Sequence, residues 1–270
     1  MDKIGKYHLL RKLGEGSTSE VYLSFDPVSD RDLAIKIANR KALENPVRGH
    51  LYRKIYETEA SLAGKLDHPY IVAILDAVVD ENESYIVMEY VEGGTLEKYC
   101  AFDNLLPVAR AVDVIHKCVL AMEFAKRGGI IHRDLKPANI MLIGNDEEVK
   151  ITDFGSAMVV GSKIKPLEGV GSPTYMSPEQ AQQRPLDFRT DIYSLGVVLF
   201  QLLTGRVPFE GTKYKEVLEL LINNDVPPPS KFRIEVAQKL DEIVLKATAR
   251  NRDKRFQSWE EFEKALLSKK

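Results

Sequence analysis

The chain has 270 residues, 44% of them hydrophobic, enough to bury a sizeable core in one large domain or two lobes and too many for a disordered chain. With 38 basic and 40 acidic side chains the net charge is −2, so nothing in the charge argues for a nucleic acid or a membrane surface as partner. Two cysteines, Cys100 and Cys118, lie far apart with no histidine cluster, which excludes a disulfide framework and a zinc site and predicts two core thiols in a reducing compartment.

The N-terminal Met1-Asp2-Lys3-Ile4-Gly5 has no apolar leader pattern, and the longest apolar run, near Leu195 to Leu203, is too short to span a bilayer. This reads as a soluble, cytoplasmic chain. From Tyr7 to Tyr90 the apolar residues come in short β-branched or aromatic runs separated by turn residues, which predicts an antiparallel sheet. One helical stretch, Val47 to Leu66, interrupts it, with Glu59 and Leu62 near the face that meets the sheet. After Gly93-Gly94 the period changes: Val108, Val112, Ile115, Val119 and Met122 alternate steps of four and three, between Pro107 and Gly128-Gly129. Further helices are predicted at Asp187 to Thr204, Lys213 to Asn223, Glu235 to Ala249 and Ser258 to Leu267. The fold class is therefore α+β and bilobal, with a small antiparallel β-sheet lobe carrying one main helix, residues 1–90, and a larger mainly helical lobe, residues 91–270. The two join near Glu89 to Gly94, and a cleft between lobes is a common place for a nucleotide.

The chemistry concentrates in His132-Arg133-Asp134-Leu135-Lys136-Pro137-Ala138-Asn139, followed by Asp153-Phe154-Gly155. Asp134 can accept a proton from an attacking hydroxyl, and Asn139 and Asp153 offer the hard oxygen ligands that Mg²⁺ takes. Glycines 14 and 16, between two predicted strands, can present backbone N–H groups to phosphates. Taken singly, each motif is weak. Their order is not: Gly14-Glu15-Gly16-Ser17-Thr18-Ser19 with Val21, then Ala34-Ile35-Lys36, Glu59, His68-Pro69, the catalytic segment, Gly171 to Glu179, Asp191 and Arg255.

In these motifs, from about Tyr7 to about Leu267, the sequence resembles the protein kinase family, and its Ser177-Pro178-Glu179-Gln180-Ala181 run is most like the bacterial eukaryotic-like (Hanks-type) serine/threonine kinases. The resemblance implies ATP and Mg²⁺, with Mn²⁺ as a substitute, and transfer of the γ-phosphate to Ser or Thr hydroxyls of protein substrates, this chain included. It makes Asp134 the base, Lys136 the cation at the γ-phosphate, and Asn139 and Asp153 the metal ligands. Lys36 would contact the α and β phosphates while paired with Glu59. Glu57 is two residues away and, about 200° around a helix, cannot share that face. Leu13, Gly14, Glu15, Gly16, Ser17, Thr18 and Ser19 would form the phosphate loop, with Ser19 where the family has a third glycine. Leu13, Val21, Ala34 and Met141 would sandwich the adenine, whose partners are the Glu89 carbonyl and the Val91 N–H of the hinge Met88 to Val91. His132 is implied to be structural. So are a Glu179–Arg255 ion pair and Asp191, as a carboxylate accepting backbone N–H groups of the catalytic loop.

Arg133 before Asp134 resembles kinases regulated by a phosphate on the activation segment. Yet between Gly155 and Gly171 the only hydroxyl side chains are Ser156 and Ser162, and position 158, often basic, is Met158. The expectation is activity without segment phosphorylation, or tuning through Ser162, Ser172 or Thr174. Many bacterial relatives continue into a membrane helix, whereas this sequence stops at Lys269-Lys270, which reads as a free-standing catalytic domain; a homodimer stays open. Two rival readings stand beside this one. A pseudokinase scaffold is disfavoured by intact Lys36, Asp134, Asn139 and Asp153. A small-molecule kinase of related fold is disfavoured by the Lys-Pro-x-Asn form and the Tyr175 to Glu179 segment.

Overall fold

Alternation along the first strands builds a six-stranded antiparallel sheet of order β1-β2-β3-β4-β6-β5. Its strands and helices are β1 (Lys3–Ile4), β2 (Tyr7–Glu15), β3 (Ser19–Asp26), β4 (Arg31–Ala38), α1 (Arg40–Leu43), α2 (Gly49–Ala60), β5 (Ile74–Val79) and β6 (Ser84–Glu89). The structure is a computed structural model that describes residues 3–16, 18–80, 84–144, 148–159 and 173–268. It has two compact units, Met1–Glu92 with Asp153–Ser156, and Gly93–Thr152 with Ala157–Lys270.

Successive residues of a strand point to opposite faces, and residues paired across strands share one. In the first unit Leu33, Ile35, Tyr85 and Val87 therefore gather on one face, where they bury a core with Ile4 and Tyr7. The register sends the intervening residues to the other face. Val21 of β3, Lys36 of β4 and Ile86 of β6 stand in one row, and Leu23, Ala34 and Met88 in the next.

The helix expected over Val47 to Leu66 is shorter and preceded by a second one. Asn39 caps α1 by accepting the Lys41 and Ala42 N–H groups, and Asn45 then accepts those of Val47 and Arg48, so that residues 45–48 form a turn. At the other end, i to i+3 hydrogen bonds from Leu62 to Glu59, Ala63 to Ala60 and Lys65 to Leu62 replace the α-helical pattern after Ala60. The apolar period continues there although the helix has ended.

The second unit consists of β7 (Gly93–Thr95), α3 (Val108–Arg127), β8 (Ile130–Ile131), β9 (Ile140–Ile143), β10 (Glu148–Ile151), β11 (Met158–Val159), α4 (Pro178–Ala181), α5 (Arg189–Thr204), α6 (Tyr214–Asn223), α7 (Gln238–Ala247) and α8 (Trp259–Leu267). β9 lies between β10 and β7, and β11 pairs with β8, all antiparallel. Helix α5 is buried on nearly every side, as its apolar composition requires. A Cβ on Gly196 would meet the Ala247 and Thr248 side chains at 2.8 Å, so a bare glycine lets α5 lie against the end of α7. Cys118 is a fully buried core thiol as expected. Cys100 corrects the expectation: it is only partly buried, in the turn after Tyr99, with its thiol donating to the Leu96 carbonyl at 3.4 Å. Among the described residues no helix is long and apolar enough to cross a membrane.

Candidate active site

In the first unit, Lys36 reaches from the middle of β4 to two carboxylates, Glu59 Oε2 at 2.7 Å and Asp153 Oδ1 at 2.9 Å. Glu59 is 1% exposed, whereas Glu57 is exposed, so the helical rotation separates the two as their spacing requires. Burial alone would push the Lys36 ammonium down, but the Asp153 and Glu59 charges outweigh it and hold it above its ordinary value. The Tyr56 hydroxyl, on α2, donates to the Lys36 carbonyl at 2.6 Å and ties helix to strand at this residue. Gly155 permits the approach of Asp153 to α2, since a Cβ there would lie 2.9 Å from Ile55 Cγ2 and 3.1 Å from Glu59 Oε2.

The glycine loop closes the β2–β3 hairpin, with the Gly16 N–H donating to the Ser19 carbonyl and the Asn39 N–H to the Thr18 carbonyl. Ser19 begins β3 opposite Ala38 and is buried. A Cβ at Gly14 would touch nothing within 4 Å, and one at Gly16 only the Ser19 carbonyl at 3.7 Å. Among the described residues nothing therefore crowds either glycine, as a phosphate lying on the backbone would need. Glu15 is paired with Lys12, which also holds Glu20. Val21 and Ala34 line the sheet face that carries Lys36, while Leu13 on β2 is 37% exposed. Glu89 closes β6 with its side chain accepting the Ala73 N–H. The Val91 N–H beyond it has no hydrogen-bond partner among the described residues.

The second unit holds the catalytic segment. Asp134 Oδ2 accepts from Lys136 Nζ at 2.7 Å and from Asn139 Nδ2 at 3.2 Å, and the same amide also donates to the Asp134 carbonyl at 2.8 Å. With its nitrogen committed, Asn139 has an amide oxygen without a partner among the described residues, a hard donor of the kind a divalent metal takes. Met141 follows on β9, half-buried. His132 is fully buried: its Nδ1 accepts the Asp134 N–H and its Nε2 lies 3.2 Å from the Thr152 carbonyl. That places it as a brace of the loop. Asp191, near the start of α5, accepts the His132 and Arg133 N–H groups, both at 2.8 Å. Glu179 and Arg255 form a bidentate pair at 2.6 and 2.8 Å, with Arg255 1% exposed.

Two contributors were not foreseen. Tyr56 is one, and nothing in its local pattern marks it. Gln180 is the other: its Nε2 donates to the Arg133 carbonyl at 2.9 Å, and its Oε1 accepts the Ser177 N–H while Ser177 Oγ accepts the Gln180 N–H. The spacing Ser177-x-x-Gln180 is a capping-box signal that could have found it. Ser17, Ser162, Gly171 and Ser172 lie outside the described residues.

Comparison with known protein families agrees with this geometry. Residues 7–266 match the model of the protein kinase domain, and the chain belongs to that family. Membership implies use of ATP with a divalent metal. The chain is 38% identical to serine/threonine-protein kinase PrkC of Bacillus subtilis, over 96% of this chain and 40% of PrkC. It is 39% identical to serine/threonine-protein kinase PknB of Mycolicibacterium smegmatis, over 97% of this chain and 42% of that protein. It is 37% identical to a probable serine/threonine-protein kinase of Streptomyces coelicolor, over 95% and 39% respectively. The chain thus spans about two fifths of the length of the curated relatives it matches.

Proposed function

We propose that the chain is a serine/threonine protein kinase that transfers the γ-phosphate of Mg²⁺-ATP to hydroxyl groups of proteins, its own included. The observation that carries this reading is Asp134, whose carboxylate is held by Lys136 and Asn139 two and five residues further on. In the proposed reaction the substrate oxygen attacks the γ-phosphorus, the bond to the bridging β–γ oxygen breaks, ADP leaves, and the hydroxyl proton passes to Asp134. Lys136 neutralises charge that builds on the transferred group. Residues 1–90 supply nucleotide binding: the loop Leu13 to Ser19 and Lys36 for the phosphates, with Glu59 fixing Lys36. Val21, Ala34, Glu89 and Val91, with Met141, serve the adenine. Residues 91–270 supply catalysis and the protein substrate. Asn139 and Asp153 would hold Mg²⁺, which when bound neutralises phosphate charge; the free Asn139 amide oxygen and the Asp153 carboxylate are donors of the right hardness. The relatives' names as serine/threonine kinases support the choice of hydroxyl. The two free thiols support a reducing cytoplasm.

The test is incubation with γ-labelled ATP, Mg²⁺ and a generic basic protein. Label on Ser or Thr is expected. Asp134→Asn should slow transfer by about 10²–10⁴-fold. Lys36→Met should reduce it at least as much while circular dichroism stays that of the wild type, because the methionine fills the space and Glu59 can take a proton. Unchanged rates in both variants, or label confined to tyrosine, would overturn the reading.

A further inference from the structure

Helix α2 is weakly anchored by its own sequence. Its N-cap, Arg48, makes no side-chain capping bond, its first turn holds no acidic residue and its last turn no basic one, so neither end meets the helix dipole with an opposite charge. Of its 12 residues only Gly49, Tyr56 and Glu59 are buried, and glycine has no side chain to pack. The two buried side chains of α2 are therefore Tyr56 and Glu59.

Both reach the same residue. Three positions apart, they lie on one face of the helix. The Tyr56 hydroxyl donates to the Lys36 carbonyl at 2.6 Å, and Glu59 Oε2 accepts from Lys36 Nζ at 2.7 Å. One bond holds the main chain of Lys36 and the other the far end of its side chain, so α2 grips this residue at both ends. Tyr56 is 2% exposed. A slide of α2 by about 1 Å would take the hydroxyl out of hydrogen-bond range and leave a buried donor unpaired. The same movement would carry Ile55 and Glu59, the side chains that crowd Gly155 in the turn after Asp153, the other partner of Lys36. A phenylalanine at 56 would supply the same apolar ring. What the tyrosine adds is the bond to Lys36.

We propose that Tyr56 is a positioning residue for the nucleotide: its hydroxyl locks the setting of α2 in which Glu59 holds the Lys36 ammonium in place for the phosphates. The inference rests on the kinase reading above, which gives Lys36 the α and β phosphates. Lysine has more rotamer freedom to lose than most side chains, and one already held at both ends loses less of it when the nucleotide arrives.

Tyr56→Phe removes the hydroxyl together with its proton, so no buried donor is left unpaired and the fold should survive. Steady-state transfer from Mg²⁺-ATP to a basic protein, with ATP and protein varied in turn, is compared for wild type, Tyr56→Phe, Glu59→Gln and the double variant, each scaled to its folded fraction. Tyr56→Phe should lower kcat/KM for ATP by about three- to tenfold, the size of one net hydrogen bond, and leave KM for the protein substrate unchanged. In Glu59→Gln, where Lys36 has lost its charged partner on α2, the same substitution should change kcat/KM for ATP by less than about twofold. The Mg²⁺-ATP dissociation constant from calorimetry gives the same comparison if Glu59→Gln turns over too slowly to follow. An equal factor in both backgrounds, as a tyrosine serving stability alone would give, or an unchanged Tyr56→Phe, would overturn this inference and leave the kinase reading intact. A wild type that transfers no phosphate would overturn the kinase reading, and this inference with it.

Discussion

Arg133 and Asp153 both hold left-handed backbone, at φ 67° and 63°, although neither is glycine. Such conformations cost about 1–3 kcal/mol each and persist only where the surroundings over-determine them. For Arg133 the cause is visible: its N–H and that of His132 converge on the two oxygens of Asp191, and its carbonyl is held by Gln180. Asp191 is 1% exposed, and burial pushes its carboxyl up against the pull of His132, of the two N–H groups and of Arg133. Those contacts are what keep a buried carboxylate in place. Asp191→Ala should leave two buried donors unpaired, at about 1–3 kcal/mol for each. Urea unfolding should therefore show a loss of several kcal/mol, and kcat should fall further than the unfolded fraction explains, since Asp134 follows directly after the released turn. Loss of stability with kcat intact in the folded fraction would mean that the turn does not position the base.

At the level of elements, α4 is only four residues long, too short to be stable by itself, yet three devices fix it. Its capping box closes the first turn, Thr190 donates to Glu179 at 2.9 Å, and Arg255 grips Glu179 from the segment before α8. The arginine also donates to the carbonyls of Ala249, Arg189 and Arg250, so every donor group of the guanidinium has a partner. A buried pair this well satisfied is costly to break from one side: Arg255→Met should destabilise by about 3–5 kcal/mol, and Lys could not restore the bidentate geometry. Burial would raise the Glu179 carboxyl, but the Arg255 bonds outweigh it and hold it below its ordinary value. The folded protein therefore binds this proton less readily than the unfolded chain. The contribution is complete above the unfolded value of about 4.3 and is lost as pH falls through the lower folded value. Unfolding free energies measured from pH 7 to pH 3 should fall more steeply below about pH 4.3 in wild type than in Arg255→Met. Parallel curves would show that the pair does not carry this acid sensitivity.

Across the whole chain, order and local period made legible the antiparallel sheet, the helices from Val108 onward and the separation of Glu59 from Glu57. The structural place of His132 was legible only through the resemblance to the kinase family. The split of the first helix was hidden because Asn39 and Asn45 act through side-chain caps that leave the apolar period intact. The brace from Tyr56 was hidden because it joins α2 to β4, and that from Gln180 because its capping-box spacing marks the turn of α4 but not the long-range contact with the Arg133 carbonyl. The same kind of long-range contact bears on regulation. Arg133, the residue that an activation-segment phosphate would be expected to engage, donates to the Ala157 carbonyl, and β11 beyond it pairs Met158 with Ile131. Burial lowers the Arg133 guanidinium, with Asp191 pulling the other way, so the cation already has backbone and carboxylate around it. The start of the segment, Ala157 to Val159, thus already has contacts from the protein's own groups. Protein treated with phosphatase and shown by mass spectrometry to carry no phosphate should phosphorylate an exogenous basic substrate from the first turnovers, without a lag. A lag that shortens with protein concentration, ending as phosphate accumulates on the segment, would mean that Arg133 waits for that phosphate after all.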